Sequence, residues 1–174
     1  IEVFSVHETE IQRFSQEKLW HTVDAFKYPE VFRRLPEIVR KKGRIWASQR
    51  IQERFSGKVG VDMRYSTRSA FTEPDHRKTI LKQNGKIDIL IAAHCFFDAA
   101  NGLGRNIFPD FYEWLKIVGK VSNQTDFNWY LKTHPDYLPG NNEIAQEIIR
   151  DYPRIQWIPN TTSHLQLVEE GLDF

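Results

Sequence analysis

Residues Ile87-Asp-Ile-Leu-Ile-Ala-Ala93 form a short, nearly continuous apolar run, and this pattern constrains the fold more than any other in the chain. A strand with one wet face alternates apolar and polar side chains, whereas a strand covered on both faces does not. The run therefore predicts a strand buried in a parallel sheet. The remainder of the chain repeats that plan. Phe108, Phe111, Tyr112, Leu115 and Val118 share a face at steps of three or four, with Pro109 acceptable in a first helical turn. Phe127-Asn-Trp-Tyr-Leu131 is a second strand, with a helix after it marked by Ile144, Ile148 and Ile149, and Ile155-Gln-Trp-Ile158 is a third. Ser163-His-Leu-Gln166 matches a capping box, Leu165, Val168 and Leu172 continue as a helix, and Gly171 is a natural helix end. Strand followed by helix, three times over, is the βαβ rhythm, which implies parallel strands and right-handed crossovers. The expected class is α/β, a partial Rossmann-like sheet of three β/α units over residues 86–174. Three strands are few for an open sheet, and Leu172-Asp-Phe174 sits where a fourth would begin, so a longer protein with further strands is expected.

The first half reads differently. Residues 1–57 carry helical spacing in Leu19, Trp20, Val23 and Phe26, then in Val31, Leu35, Ile38 and Val39, and again from Ile45 and Trp46 through Ile51 to Phe55. Pro36 and Gly43 would break or start these segments, and Gly57 would stop the last. Basic residues concentrate here: Arg33, Arg34, Arg40, Lys41, Lys42, Arg44, Arg50 and Arg54. Solvated helix faces are their plainest explanation, with a phosphate or lipid surface, such as peripheral contact with the inner membrane face, as the alternative. Residues 58–85 look like an irregular linker, with Val59–Tyr65 a candidate strand and Thr72-Glu-Pro-Asp-His76 rich in turn formers.

Composition removes several functions. Twenty-four Lys and Arg against 23 Asp and Glu leave a net charge of +1, so no global field draws the chain to nucleic acid, and any anion site must be local. A lone Cys95 excludes an internal disulfide framework and a cysteine-rich metal centre, which favours a reducing, cytoplasmic setting. The sequons at Asn123 and Asn160 point the other way and are short enough to arise by chance. No apolar run approaches the roughly 20 residues of a membrane span. His94, Asp98 and His134 could be assembled around zinc, but no close-spaced ligand pair exists, and no GxSxG elbow signals a serine hydrolase.

Ligands of open parallel sheets bind beyond the carboxyl ends of the strands. Three loops lie there. In the first, His94 to Arg105, Gly102 and Gly104 could let the backbone approach a phosphate and Arg105 could neutralise it, although the spacing is neither GxGxxG nor a P-loop. His94 or Asp98 could serve as a general base there, and a plain turn explains the same residues. In the second, Lys132-Thr-His-Pro135, a Lys and a His directly after a strand are poorly explained by core packing. Pro135 holds His134 extended, aiming the imidazole out of the sheet's end, where it could bind or protonate a phosphate. In the third, Asn160, Thr161, Thr162 and Ser163 precede a helix N-terminus, suited to an anion or a ribose, while Ser163 alone is well explained as a cap.

The run from His94 through Phe108-Pro-Asp-Phe-Tyr-Glu-Trp114 to Trp129-Tyr-Leu-Lys-Thr-His-Pro135, and on to Ser163-His-Leu-Gln166, resembles bacterial capsule and surface-polysaccharide glycosyltransferases. The resemblance covers roughly residues 86–174, and Lys-x-His-Pro is its most specific part. It implies a GT-B arrangement, two Rossmann-like domains with the sugar donor held in the C-terminal one. It also implies that His134 and Pro135 contact the donor's phosphate or nucleotide, with Lys132 assisting and Thr161, Thr162 and Ser163 nearby. The substrates would be a nucleotide sugar and a polysaccharide or oligosaccharide acceptor, with no metal or other cofactor. Two alternatives stay open: a non-catalytic α/β interaction domain, and a glycerophosphotransferase of the teichoic-acid type.

Overall fold

The computed structural model of the chain describes residues 4–6, 11–13, 28–61, 64, 66–97, 107–136 and 139–173. Near the start, β1 (Phe4–Val6) and β2 (Ile11–Arg13) pair antiparallel with Phe4 opposite Arg13. These six residues are extended within a segment, 1–57, whose sequence reads as mainly helical. Three-residue strands are held by backbone pairing, which side-chain periodicity does not report. The helix expected around Leu19 to Phe26 lies outside the described residues.

Helix α1 spans Tyr28–Arg34 and α2 spans Glu37–Phe55. The break between them comes from Pro36, whose ring disfavours the helical region for Leu35 and which sits extended (φ −53°, ψ 145°) as the N-cap of α2. Gly43 does not interrupt α2. A glycine costs a helix about 1 kcal/mol, too little to end one of 19 residues. Gly57 does end it, at φ +83°, and a Cβ there would lie 2.6 Å from the Phe71 carbonyl oxygen. Neither helix buries a residue: Ile38 and Trp46 are each about three-fifths exposed. Arg50 stacks over Trp46 with its guanidinium carbon 5.1 Å from the ring centroid.

The sheet is the predicted one. Strands β3 (Asp88–Ala93), β4 (Asn128–Thr133) and β5 (Ile155–Trp157) run parallel in the order β3-β4-β5. Leu90 pairs with Tyr130 and Ala92 with Lys132. Helices α3 (Phe111–Asn123) and α4 (Asn141–Asp151) connect the strands and pack together on one face, where Ile91, Trp129, Leu131 and Ile155 meet Leu115, Ala145 and Ile148. Tyr130 and Ile158 point to the opposite face and meet Leu81 and Leu167. Leu167 belongs to α5 (His164–Glu169), so the helix after β5 lies across the sheet from α3 and α4.

Most of that second face is covered by irregular chain. Residues 66–86 form neither helix nor strand, and side chains from elsewhere satisfy their backbone. Glu170 accepts the N–H groups of Ile80 and Leu81 at 2.8 and 2.7 Å. The Tyr130 hydroxyl accepts the Lys82 N–H at 2.8 Å and donates to Asp88 at 3.1 Å. Gln166, expected to close a capping box with Ser163, donates instead to the Asp75 and Lys78 carbonyls at 3.2 and 2.7 Å. Buried polar backbone has to be paired, and here Gln166 of α5, Glu170 just after it and Tyr130 of β4 do the pairing.

Several boundaries move. Helix α3 begins at Phe111 because Asp110 caps it, accepting the Glu113 N–H at 2.8 Å, so Phe108 and Pro109 precede the helix. No strand forms in the described part of Val59–Tyr65, where 59–61 is a turn with Gly60 at φ +76°. Strand β4 runs two residues further than its apolar run, through Lys132 and Thr133. Beyond Gly171 (φ +98°), Asp173 lies against the free edge of β3, accepting the Asp88 N–H at 2.8 Å and donating its own to the Asp88 carbonyl at 3.3 Å.

One packing contact yields a direct prediction. A Cβ on Gly119 in α3 would lie 2.7 Å from Cε2 of the Tyr152 ring. Helix propensity favours Ala over Gly by about 1 kcal/mol, but overpacking costs roughly 1–3 kcal/mol. Gly119→Ala is therefore expected to lower unfolding free energy in urea by up to roughly 2 kcal/mol, and the loss should vanish in a Tyr152→Leu background.

Candidate functional site

The carboxyl end of β4 is where the chemistry gathers. Lys132 is not in a loop after the strand; it stands within the central strand, on the face shared with Tyr130, and is 1% exposed. Its Nζ has no hydrogen-bond partner among the described residues. Burial pushes its ammonium down to about 8, so it remains mostly protonated at neutral pH. A buried ammonium without an acceptor is costly, and it persists only where something else compensates it.

Two residues on, the chain leaves the sheet at His134 and Pro135. His134 is exposed, and its Nδ1 lies 2.9 Å from the Asp136 carbonyl oxygen and 3.1 Å from the Asp136 backbone nitrogen. Either tautomer therefore engages Nδ1 locally, which leaves Nε2 for a ligand. The Asp136 carboxylate in turn accepts from Thr67 Oγ1 at 2.6 Å, from the Thr67 N–H at 2.9 Å and from the Arg68 N–H at 3.4 Å. Burial opposes its ionisation, but these hydrogen bonds and the positive charge of His134 outweigh it and hold the carboxyl below its ordinary value. A sequence separation of 69 residues is closed by this one side chain.

His164, the first residue of α5, completes the cluster. Its N–H bonds the Ala70 carbonyl at 2.8 Å and its ring meets Phe71 edge-on at 5.5 Å. Its pKa is pushed down to about 4, first by burial and then by the positive charges of Lys132, His134 and Arg54. Basic side chains from a strand, the loop after it and α2 thus converge on His164 and raise the cost of protonating it.

Beside them opens a cleft of about 120 Å³. It is lined by Arg54 of the last turn of α2, by Lys58 just beyond that helix, by Ser66, Arg68 and Ser69, and by His134 with Pro135. Among the described lining residues there is no carboxylate. Such a surface can hold an oxyanion.

The other expected site residues are scattered. His94 leaves β3 and stacks on Phe111 of α3 at 5.2 Å. Asn160, Thr161 and Thr162 form the turn between β5 and α5, closed by the Thr162 N–H on the Pro159 carbonyl at 3.0 Å. Ser163 caps α5, accepting the Leu165 N–H at 3.1 Å, and commits its own proton to the Thr72 carbonyl at 2.5 Å. Asp98, Gly102, Gly104 and Arg105 lie outside the described residues. Arg54, Lys58, Arg68 and Asp136 carry no motif. Only the Asp two places after His134 offered a local signal, since such spacing favours a turn. Among the described residues no group of three His, Cys, Asp or Glu is placed to hold a metal, and no helix is long and apolar enough to cross a membrane. Compared with known proteins, the chain matches no protein family, no curated protein and no solved structure.

Proposed function

We propose that this chain carries the donor-binding part of a glycosyltransferase that moves a sugar from a nucleotide-activated donor to a surface polysaccharide or oligosaccharide acceptor. One observation carries the reading: the buried ammonium of Lys132 at the carboxyl end of the central parallel strand, without a hydrogen-bond partner among the described residues. That end of an open α/β sheet is where phosphate-bearing ligands sit, and a phosphate oxygen is the partner that Lys132 lacks. His134, whose Nδ1 is engaged by Asp136, would offer Nε2 to the same ligand and stabilise charge on the departing phosphate. The resemblance of Lys-x-His-Pro to surface-polysaccharide glycosyltransferases adds the class of leaving group. The single cysteine accords with a cytoplasmic site of action, and the basic surface of α2 with peripheral contact at the inner membrane face.

Isothermal titration of the 174-residue chain with CMP, CDP, UDP and GDP tests this. Saturable binding of one of them is expected, weakened about tenfold by His134→Ala, the equivalent of one charge-assisted hydrogen bond of roughly 1.4 kcal/mol. If all four nucleotides leave the calorimeter flat, the donor reading is wrong and a non-catalytic interaction domain takes its place.

A further inference from the structure

Helix α2 runs for 19 residues and buries none of them, although helices in folded proteins are ordinarily held by packing an apolar face. Its last turn meets the chain that follows, with Phe55 edge-on to Phe71 at 4.9 Å and Arg54 over the same ring at 5.7 Å. Its first turns carry an apolar stripe. Ile38, Val39, Ile45 and Trp46 fall within an arc of about 120°, at about 100° per residue, and are 45–62% exposed. Lys42 and Gln49 stand in the same arc, and Lys41 and Arg50 border it on its two sides, Arg50 lying over Trp46 at 5.1 Å. Such stems can cover apolar surface while their charged heads stay in water. The two glutamates of the helix are paired, Glu37 with Arg40 and Arg44 and Glu53 with Lys58.

Charge indicates what covers the stripe. Residues 28–55 hold eight Lys and Arg against three Glu, whereas the rest of the chain holds 16 against 20 Asp and Glu, so the net charge of +1 conceals a segregated basic segment. A second copy of the chain would set Lys41, Lys42 and Arg50 against their own kind, which like-charge repulsion opposes. An apolar stripe that carries a tryptophan and is rimmed by cations on both sides complements a bilayer with anionic headgroups. Eight charged side chains along its 19 residues suit α2 to lie along such a surface and not to pass through it. We infer that α2 is an interfacial helix that seats Ile38, Val39, Ile45 and Trp46 among the headgroups of an anionic bilayer. The peripheral contact proposed above thereby acquires a defined surface and a lipid class, and it rests on that contact alone: nucleotide binding can fail without touching it.

The test is co-sedimentation of the 174-residue chain with phosphatidylcholine vesicles, with and without about 30 mol% phosphatidylglycerol. Wild type is expected to bind the anionic vesicles at least about tenfold more tightly than the neutral ones. Lys41→Gln/Lys42→Gln/Arg50→Gln should lose at least about tenfold, since each cation near such a surface contributes about fivefold. Ile38→Ser/Trp46→Ser should lose a similar factor through apolar area no longer buried, and thermal midpoints check that both variants fold. A conservative variant adds a second readout: lipids brominated on their acyl chains should quench the tryptophan fluorescence of wild type, and quench Trp46→Phe less. Absence of vesicle binding, or equal binding to neutral and anionic vesicles, overturns the inference. Binding that survives both multiple variants overturns the assignment to α2. A wild-type mass in light scattering twice that of Ile38→Ser/Trp46→Ser, with no vesicle binding, gives the stripe to a second copy and overturns the membrane contact.

Discussion

Lys132→Met is expected to raise the stability of this protein and to weaken its affinity for phosphate-bearing ligands on the order of 100-fold, a combination that few substitutions produce. Methionine matches the length of the lysine stem and leaves no charge behind. In the folded chain the ammonium is pushed down to about 8 by burial, against an ordinary value near 10.4. Keeping it protonated at pH 7 therefore costs the native state on the order of 2–3 kcal/mol, which an apolar replacement recovers. For a chain of this size that is a rise of roughly 5–10 °C in the unfolding midpoint. Linkage sets the sign of the pH dependence. The folded pKa is depressed, so the unfolded chain binds more protons between about 8 and 10.4, and wild-type stability climbs across that window while the variant's does not. Binding should move the opposite way. Losing a desolvated charge-assisted contact to phosphate is worth on the order of 100-fold in affinity. Calorimetry and ligand titration on the same sample decide the matter. A destabilised variant that still binds would mean that Lys132 is neither unpartnered nor part of a site.

Acid is expected to unfold the protein through His164. Its imidazole, held down to about 4 by burial and by the charges of Lys132, His134 and Arg54, must take up a proton as the chain unfolds. Its folded pKa is depressed relative to about 6.5 in the unfolded chain. The stability it confers is complete above pH 6.5 and is lost as pH falls toward about 4. After allowance for its partial exposure, the loss is roughly 2–3 kcal/mol, a large share of the stability of an ordinary domain. His164→Phe, which keeps an aromatic edge against Phe71, should flatten urea midpoints between about pH 6.5 and 4. An unchanged slope in that variant would show that another group carries the acid response. The same physics predicts the effect of a ligand: an anion beside Lys132 and His134 lowers the local positive potential and lifts His164 back toward its ordinary value.

Lys132 and His164 mark the division between what can be read along the chain and what cannot. The α/β class, the three strands and the helices between them are legible in the residues alone, because a strand buried on both faces and a helix buried on one leave different apolar periods in Ile87–Ala93 and in Phe111–Val118. So is the prominence of Lys132 and His134, since a polar pair at the end of an apolar run is expensive without a purpose. The residues do not reveal that Lys132 lies inside the strand, because the apolar run stops at Leu131 while the backbone pairing of β4 with β3 continues to Thr133. Nor could they join Arg54 and Arg68 to His134, or His164 to Lys132. Those meetings depend on α5 crossing to the face of the sheet away from α3 and α4, and on Asp136 drawing the Thr67 loop across. Local periodicity records how each segment is buried. Which charges end up side by side is set by the crossovers, so the cluster of cations at the end of β4 exists only in the folded chain.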